Sequence, residues 1–364
     1  MHDYLIVGSG IFGAVFAQQA IEKGKSVILI DKREHIAGNC YTETKNGIDI
    51  HTYGPHIFHT SNEQIWSYVN RFTSFNNYVN RPKVSYKNKI YSFPINLMTL
   101  QQLWGVSTPN EAKRKLDEVK IPCESPTNLE EWILSQVGVE IYRTFIHGYT
   151  TKQWGREPDR LPASIIKRLP IRLTYDDNYF NDTFQGIPKN GYTSMFQNML
   201  EKCEIVLGED YFNNRDYWNS KAKKVVYTGK IDEFFDYSHG ELQYRSLRFE
   251  HFESDGDFQG NAVVNYTDKN VPYTRITEHK HFTPERLSKL DKTIYTKEYS
   301  SEWNRSSIPY YPIGDEKNNS IYEKYSLMAD SSNVIFGGRL AEYKYYDMHQ
   351  VIGSALQKSR KYIV

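Results

Sequence analysis

The sequence predicts an α/β fold in which a helical bundle and an antiparallel β-sheet domain are inserted into a parallel-sheet domain. Three observations predict this fold. A glycine motif at residues 8–13 lies between an apolar strand and a helix at the start of the chain. Residues 97–169 then carry apolar side chains at helical spacing, and residues 242–299 alternate apolar and polar side chains with the period of antiparallel strands.

The first βαβ unit carries a dinucleotide-binding pattern. An apolar strand at residues 4–7 leads into a helix, and a second strand at residues 27–30 ends in Asp31, 21 residues after Gly10. Glycines at such a turn let the backbone approach a pyrophosphate at the helix N-terminus, and the later carboxylate accepts hydrogen bonds from ribose hydroxyls. We therefore predict a Rossmann-like dinucleotide site that includes Gly8, Gly10, Gly13 and Asp31.

Length and composition exclude several classes of protein. The 45 basic and 44 acidic side chains of this 364-residue chain nearly cancel, which argues against nucleic-acid binding through a positive field. No apolar run is long enough to cross a bilayer, and we expect no signal peptide and no membrane partner. The cysteines, Cys40, Cys123 and Cys203, are isolated, which favours reduced thiols in a cytoplasmic protein.

The order of these patterns predicts three interleaved domains. The predicted bounds are 1–76, 191–240 and 318–364 for the nucleotide-binding domain, 77–96 and 241–317 for the β-sheet domain, and 97–190 for a helical domain with a mobile lid.

Short local patterns predict the elements that join these domains. We expect a short helix at residues 61–71, and then a hairpin over residues 78–93 that turns at Lys87-Asn88. In the helical region, residues 108–111 and 127–130 each form a capping-box pattern that predicts a helix start. Gly138 and Gly148 follow apolar helical faces, so we expect helices to end there.

The C-terminal half returns to strands and helices of the parallel-sheet type. We expect a helix at residues 195–200, strands at 204–207, at 224–229 ending in a turn, and at 333–338 entering a glycine turn, and a closing helix at 347–362.

The dinucleotide pattern alone does not separate NAD from FAD, and three features favour FAD. The motif lies at the start of the chain, Asp31 is followed by Arg33 and a second glycine turn at Gly38-Asn39, and the strand before Gly337-Gly338 returns the chain to the site. The dipole of the closing helix would stabilise an anionic reduced flavin by ~0.3–1 kcal/mol, and up to ~2 kcal/mol when partly buried. We predict an FAD-binding Rossmann-like domain of the glutathione-reductase type; alternatively, the Gly337-Gly338 pair only permits tight packing of helix on strand.

Motifs along the whole chain resemble the bacterial UDP-galactopyranose mutase family. The segments that carry the resemblance are residues 8–13, 31–39, 56–59, 148–156, 168–180, 272–275, 310–312 and 338–348, in the order of the family. The departures are Asp31 where relatives often have Glu and Ala37-Gly38 in place of two glycines. Both retain a carboxylate and a tight turn, so the cofactor prediction stands.

The resemblance implies an isomerase that interconverts UDP-galactopyranose and UDP-galactofuranose without net redox change. In this family the N5 of reduced FAD forms a covalent adduct with the anomeric carbon of the sugar and displaces UDP. The resemblance further implies an external reductant such as NAD(P)H, a role in supplying galactofuranose for cell-surface polysaccharide, and a homodimer. A UDP-sugar related to UDP-galactose, such as its N-acetyl counterpart, remains an alternative substrate.

The resemblance also assigns candidate substrate residues. Arg168 and Arg275 would bind the diphosphate and act in catalysis, with Arg168 in a lid; the alternative for each is a solvated surface arginine. Hydroxyl donors, aromatic walls and polar partners complete the implied site, namely Tyr310, Tyr345, Phe145, Tyr149, Trp154, Tyr179, Phe180, Asn80, Thr150 and Asn265. Without the resemblance, the aromatic residues would be interpreted as ordinary core.

Further residues are assigned to the cofactor by the same resemblance. They are Phe12, Lys32, Gly38, Asn39, His56, Ile57, Gly338, Arg339, Tyr346, Asp347 and Met348, in addition to the glycines and Asp31. His56 would hydrogen-bond near the C4=O–N5 edge of the flavin and act in catalysis, while the role of His59 is left open. Residues 278–281 suggest a metal site, but no third ligand has fitting spacing, so we predict none.

Two other functions share parts of this pattern. An FAD-dependent oxidoreductase of the amine-oxidase type has the same cofactor motif but no use for two diphosphate-binding arginines. A UDP-sugar or flavin sensor would bind the same ligands without turnover.

Overall fold

The computed structural model describes residues 1–165 and 170–363 in two compact units. Unit 1 consists of Met1–Asn77, Asp182–Tyr244 and Pro309–Val364, and unit 2 consists of Tyr78–Asn181 and Arg245–Ile308. The helical bundle and the antiparallel strands, which were predicted as separate domains, belong to the same unit. The predicted three-domain boundaries stay a prediction.

Unit 1 is built on a parallel β-sheet. Its strand order is Val334–Phe336, Ala222–Tyr227, His2–Val7, Val27–Asp31, Glu204–Leu207. Leu5, Ile6 and Leu29 are fully buried, as expected for a parallel sheet that is covered on both faces. Because all the strands run the same way, the residues that follow them meet at one edge, where ligands of such sheets bind.

Helices and two small strand pairs surround this sheet. The α-helices are Ile11–Glu22, Glu63–Val69, Gly191–Met199, Arg215–Ser220, Ile231–Phe234, Glu316–Asp330 and Met348–Tyr362, with 3₁₀ turns at Gly38–Cys40 and Tyr211–Asn214. The small antiparallel pairs are Thr42–Lys45 with Ile48–His51 and Phe58–Thr60 with Phe184–Gly186. The predicted first and closing helices are confirmed. Within the described chain, no helix combines the length and the apolar composition that crossing a bilayer requires.

Unit 2 contains a mostly antiparallel sheet. The strands that unit 2 contributes lie in the order Tyr244–Asp255, Lys292–Glu302, Arg275–Glu278, Val263–Tyr266, Lys83–Tyr86, Lys89–Ser92. The pairing of Val263–Tyr266 with Lys83–Tyr86 is parallel, which the sequence did not predict. The predicted hairpin turn is confirmed: Lys87 and Asn88 both have positive φ, 47° and 63°, as a two-residue type I′ turn requires.

The helices of unit 2 follow the hairpin. They are Leu97–Trp104, Pro109–Val119, Leu129–Ile141, the π-helical Tyr142–His147 and Gly148–Trp154, with 3₁₀ turns at Pro158–Arg160, Ala163–Ile165, His279–Phe282 and Pro284–Lys289. The capping box at Thr108 and Glu111 is confirmed. The second box is one residue off, because Asn128 is the N-cap and accepts from the Glu131 N–H at 2.9 Å.

The two predicted helix stops have different outcomes. Gly138 breaks the helical path with φ 74° and ψ −178°, and a Cβ there would lie 2.3 Å from the Val119 carbonyl oxygen. Gly148 is not a stop; that prediction was wrong, because the residue begins the helix Gly148–Trp154. Its lack of a side chain serves packing instead, since a Cβ would lie 2.2 Å from the Thr267 carbonyl oxygen.

Buried His279 predicts an acid-sensitive contribution to stability. Its Nε2 lies 2.6 Å from the Thr296 hydroxyl, and burial, assisted by His251, lowers the pKa of His279 from 6.5 to about 3. The unfolded chain therefore binds a proton below pH 6.5 while the folded chain does not. The free energy of unfolding contributed by His279 should fall between pH 6.5 and pH 3, by up to about 1.4 kcal/mol per pH unit.

Thermal or urea unfolding across this pH range, compared between the native protein and His279→Gln, measures the effect. The variant should show a shallower loss of stability with acidification, whereas His239→Gln at an exposed position should follow the native curve. Parallel pH curves for the native protein and His279→Gln would show that the imidazole is not held neutral.

Candidate functional site

The first glycine turn of unit 1, residues 8–13, packs tightly against the protein at Gly8 and Gly13 but has free space beside Gly10. A Cβ on Gly8, whose φ is +105°, would lie 2.1 Å from the Thr228 hydroxyl, and a Cβ on Gly13 would lie 1.9 Å from the Gly8 carbonyl oxygen. At Gly10, by contrast, a Cβ would meet no described atom within 4 Å. The turn therefore fixes strand against helix and leaves a space at Gly10 for a ligand.

The helix Ile11–Glu22 begins at this open space. In the described chain no side chain caps its N-terminus, and its first turn has no acidic residue. The first N–H groups of such a helix have no intrahelical partner and carry a partial positive charge. The helix start thus suits an anion such as a pyrophosphate.

Asp31, the last residue of the second strand, forms hydrogen bonds to Ser9 in the first glycine turn. Its Oδ2 accepts from the N–H and the hydroxyl of Ser9 at 2.8 Å and 2.6 Å, and its Oδ1 accepts from the Arg33 N–H at 3.0 Å. A carboxylate has about four acceptor sites, so these bonds leave capacity for a ribose hydroxyl.

The second glycine turn lies against the first. A Cβ on Gly38 would be 2.9 Å from the Cα of Gly10, so the two backbones are in direct contact. Arg33 Nη2 donates to Asn39 Oδ1 at 2.9 Å, and among the described residues its buried Nη1 has no hydrogen-bond acceptor. An anchored cation with one unsatisfied donor fits the phosphate or adenosine portion of a dinucleotide. The residues present therefore fit the predicted cofactor.

The chain returns to this site after the strand Val334–Phe336. A Cβ on Gly337 would lie 1.9 Å from Cζ of Phe12, so the tight-packing interpretation is correct for that glycine. Gly338 has φ +89° and its N–H donates to Glu342 Oε2 at 3.1 Å.

Arg339 is held by backbone oxygens. Its Nη2 donates to the Tyr346 carbonyl at 2.6 Å and its Nη1 to the Tyr310 carbonyl at 3.3 Å, with its guanidinium beside the rings of Tyr311 and Tyr345. The closing helix begins nearby at Met348, whose sulfur lies 3.8 Å from that of Cys40. This contact brings the predicted cofactor residues of the C-terminal segment to the second glycine turn.

His56 has a fixed ring orientation. Its Nδ1 lies 2.8 Å from the Gly54 carbonyl oxygen, which can only accept, so Nδ1 carries the proton. In the neutral ring Nε2 is then the acceptor. Ile57, next to it, is buried in unit 1.

His59 belongs to a polar cluster that the sequence did not predict. Its Nδ1 lies 2.5 Å from Asp182 Oδ2, and Asp182 Oδ1 accepts from the Ser61 hydroxyl at 2.7 Å. Burial acts to raise the pKa of Asp182, but the bonds from His59 and Ser61 outweigh burial and lower it. His349 lies beside His59, with ring centroids 5.0 Å apart. These residues are far apart in sequence, so no spacing pattern could have revealed the cluster.

Among the described residues, two groups of side chains have a spacing that could hold a metal ion. His59, Asp347 and His349 form the first, but a cation there would lie at the positive end of the closing helix, which opposes binding. Asp257, Glu278 and His281 form the second, so the expectation that residues 278–281 lack a third partner was wrong.

The carboxylates of the second group are already engaged. Glu278 accepts from the backbone N–H groups of Phe258, Gln259 and Gly260, and Asp257 pairs with Lys280 at 2.5 Å. We therefore interpret this group as a structural hydrogen-bond network and not as a metal site.

In unit 2 the polar candidates share one row of the sheet. Asn265 pairs with Arg275 and Arg275 pairs with Glu298 in register, so their side chains lie on the same face. Arg275 Nη2 donates to the Tyr149 hydroxyl at 2.7 Å, and its Nε lies 3.5 Å from Glu298 Oε1. Within the described chain, the buried Oδ1 of Asn265 has no donor. A cation, a phenol and an amide thus lie together, and this set of groups has the chemistry to bind a phosphate and a sugar.

The aromatic candidates of unit 2 occupy two environments. Phe145 is 2% exposed and stands in the helical core, where its ring lies 6.3 Å from Phe93. Tyr179 is 38% exposed, contacts Phe93 and Phe180, and donates its N–H to the Asn80 carbonyl at 2.8 Å. The ring of Tyr179 is therefore accessible to a ligand, whereas the ring of Phe145 is buried and packs in the helical core.

The remaining candidates lie in other places. Thr150 is buried and Trp154 half-buried on the helix Gly148–Trp154 of unit 2. Tyr310, buried, and Tyr345, 43% exposed, belong to unit 1. Lys32 is exposed. Arg168 and its predicted lid position fall in residues 166–169, outside the described residues.

Comparison with known proteins gives the family. The sequence profile of UDP-galactopyranose mutase matches residues 144–345, and that of the NAD(P)-binding Rossmann-like domain matches residues 6–72. A dTDP-fucopyranose mutase of Escherichia coli is 44% identical over 379 residues, which cover 100% of this chain and 99% of that protein. A probable UDP-galactopyranose mutase of Klebsiella pneumoniae is 43% identical, with 99% and 94% coverage. The chain belongs to the UDP-galactopyranose mutase family.

Solved structures agree on the fold. A reduced UDP-galactopyranose mutase superimposes with a TM-score of 0.75 at 15% identity, covering 99% of this chain and 93% of that one. A putrescine oxidase superimposes with a TM-score of 0.57 at 12% identity, covering 100% and 99%. The predicted α/β fold with a dinucleotide-binding domain is confirmed, and family membership makes the chain an enzyme. The roles of the individual site residues stay predictions.

The open space at Gly10 gives a test of the cofactor site. Gly10→Ala adds a methyl group that meets no protein atom, at a φ of −67° that alanine tolerates, so the fold should keep its melting temperature without cofactor. A pyrophosphate at the helix start would meet this methyl group. We expect FAD affinity, measured by fluorescence titration, to fall about tenfold or more, which corresponds to about 1.4 kcal/mol.

Gly353→Ala is the matched control, because a Cβ there makes an ordinary 3.6 Å contact with Ile65. Its FAD affinity should equal that of the native protein. Native affinity in Gly10→Ala would place the cofactor elsewhere.

Proposed function

We propose that this enzyme interconverts UDP-galactopyranose and UDP-galactofuranose without net redox change. The observation that carries the proposal is the 43% identity, over 99% of the chain, to a probable UDP-galactopyranose mutase. The contacts of Arg275 with Tyr149 and beside Asn265 support it, because they gather a cation and polar groups at a position suited to a nucleotide diphosphate. The predicted oxidoreductase alternative has no use for that arrangement.

The proposed cofactor is FAD, active in its reduced form. When bound and reduced, FAD would supply at N5 a nucleophile for the anomeric carbon of the sugar, with UDP as the leaving group. The chain would hold its pyrophosphate at the start of the helix Ile11–Glu22 and its ribose at Asp31, with Arg33 completing the phosphate contacts. The protonated Nδ1 of His56 leaves Nε2 as an acceptor toward the flavin edge.

Arg275 has the central role on the substrate side. Each charge-assisted hydrogen bond from its guanidinium to the diphosphate contributes about 1.5–3 kcal/mol, and these bonds would retain UDP while the sugar changes ring form. Glu298 Oε1, which lies 3.5 Å from Arg275 Nε, would help to orient the guanidinium toward the diphosphate. Arg168 is proposed as the second cation, and Tyr179 as a ring that stacks on uracil or sugar.

A second candidate substrate pair comes from the Escherichia coli relative, which is a dTDP-fucopyranose mutase and is 44% identical over the whole chain. The dTDP-sugar carries the same diphosphate, so Arg275 would serve both substrates. We propose the UDP-sugar first because the sequence profile that matches residues 144–345 is that of UDP-galactopyranose mutase.

Several features of the proposed activity concern its surroundings. Reduced FAD requires an external reductant, for which NAD(P)H has the appropriate hydride chemistry. We also propose a homodimer in the cytoplasm and a supply of galactofuranose to cell-surface polysaccharide, in keeping with the family resemblance of the sequence.

Product analysis tests the reaction directly. Dithionite-reduced holoenzyme is incubated separately with UDP-galactofuranose, UDP-N-acetylgalactofuranose and dTDP-fucofuranose, and pyranose formation is followed by chromatography. UDP-galactopyranose should form fastest, and untreated oxidised enzyme should give none. Faster turnover of dTDP-fucofuranose would establish the second candidate, while equal rates in both redox states would contradict the proposed use of reduced flavin.

Replacement of Arg275 tests the diphosphate role. Arg275→Ala should keep its bound FAD but lower turnover by about 10²–10³, the range for loss of one preorganised charge stabiliser. Arg248→Ala, at an exposed arginine two strands away in the same sheet, is the control and should retain native rates. Unchanged turnover in Arg275→Ala at saturating substrate would remove this residue from the mechanism.

A further inference from the structure

Lys152 is surrounded by backbone carbonyl groups. Its Nζ lies 2.7 Å from the carbonyl oxygen of Tyr266 and 2.9 Å from those of Asp268, Val271 and Tyr273. An ammonium group has three hydrogens, so at least one is shared between two of these four acceptors. An exposed lysine on a protein surface is usually solvated and does not contact so many carbonyl oxygens. The four hydrogen bonds therefore fix the backbone segment that contains these carbonyl groups.

The segment in question connects two strands that carry candidate substrate residues. It leaves the strand Val263–Tyr266, which contains Asn265, and enters the strand Arg275–Glu278, which begins with Arg275. Asn265 and Arg275 form the last register pair before the connection. The conformation of residues 266–273 thus affects the positions of Asn265 and Arg275 at the end of this strand pair.

The helix that carries Lys152 touches the same region at two further points. Gly148 packs so closely that a Cβ would lie 2.2 Å from the Thr267 carbonyl oxygen and 2.9 Å from the Lys269 nitrogen. Tyr149, three residues before Lys152 and on the same side of the helix, accepts the 2.7 Å hydrogen bond from Arg275. One helical turn therefore contacts both the connecting segment and the guanidinium group.

The charge of Lys152 matters for these contacts. Burial lowers the pKa of Lys152 to about 8, and Asp268 opposes this effect, so the ammonium form still predominates at pH 7. Carbonyl oxygens accept more strongly from a charged donor than from a neutral one. A neutral side chain of the same length would leave the four carbonyl groups without their shared partner.

We propose that Lys152 is a positioning residue for substrate binding: by joining the carbonyl groups of residues 266–273 to the helix Gly148–Trp154, it holds Arg275 and Asn265 in place for a nucleotide diphosphate. Lys152 itself does not touch the substrate. This inference rests on the proposed function, since it concerns the residues that position Arg275 and Asn265 in the same proposed diphosphate site.

A double-mutant cycle separates this role from a general effect on stability. Affinity for UDP is measured by calorimetry on FAD-loaded native protein, Lys152→Met, Arg275→Ala and the double variant, with FAD content and melting temperature recorded for each. Methionine keeps the length of the side chain but donates no hydrogen bond. Lys115→Met, which removes a partly exposed lysine that pairs with Glu118, is the matched control and should bind UDP like the native protein.

We expect Lys152→Met to weaken UDP binding about tenfold while FAD stays bound, and to weaken it by a clearly smaller factor in the Arg275→Ala background, where only the part of the effect that passes through Asn265 remains. Equal losses in both backgrounds, or native affinity in a folded Lys152→Met, would overturn the inference. If Lys152→Met is not recovered folded, Lys152→Gln, which is neutral and has only two amide hydrogens for the four carbonyl oxygens, takes its place in the cycle with the same criteria. Absence of UDP binding by the native protein would instead contradict the proposed function.

Discussion

Close backbone approach at a few glycines is the constraint on which the nucleotide-binding unit depends. Gly8, Gly13 and Gly337 each lie where a Cβ would fall within 2.1 Å of another group, and Gly38 rests on Gly10. These contacts bring three segments that are distant in sequence to one edge of the parallel sheet. Because a single methyl group would separate them, the position of the helix start, and with it the anion site, follows from the absence of side chains.

Local signals predicted most of the fold. The hairpin turn at Lys87-Asn88 and the helix start at Thr108 could be predicted because each depends on residues within a few positions. Gly148 was misinterpreted because its environment is set by Thr267, more than a hundred residues away. The same limit explains the parallel pairing of Lys83–Tyr86 with Val263–Tyr266, which no local pattern records.

The candidate site was predictable only in part, for a related physical reason. The dinucleotide site could be predicted because its glycines and Asp31 occur at a fixed spacing in the sequence. Arg275 was identified as a candidate through the family resemblance. Lys152 binds backbone carbonyl groups, which every residue has, so the partners leave no trace in the sequence. The pair formed by His59 and Asp182 is likewise a product of the fold, since its members are 123 residues apart.

The question of which substrate is preferred depends on polar groups that differ between the candidates, since the diphosphate is common to both. A uridine has a 2′-hydroxyl that a thymidine lacks, and galactose has a C6 hydroxyl where fucose has a methyl group. A site that hydrogen-bonds such a hydroxyl rejects the analogue lacking it by a factor of about 10⁴–10⁵, whereas an apolar pocket discriminates only about 10²-fold against an added hydroxyl. The buried Oδ1 of Asn265, with no donor among the described residues, is an acceptor of the kind that strong discrimination requires. If a substrate hydroxyl satisfies it, we expect the enzyme to be selective for the sugar nucleotide that carries this hydroxyl, while the proposed contact of Arg275 with the diphosphate would be the same for both.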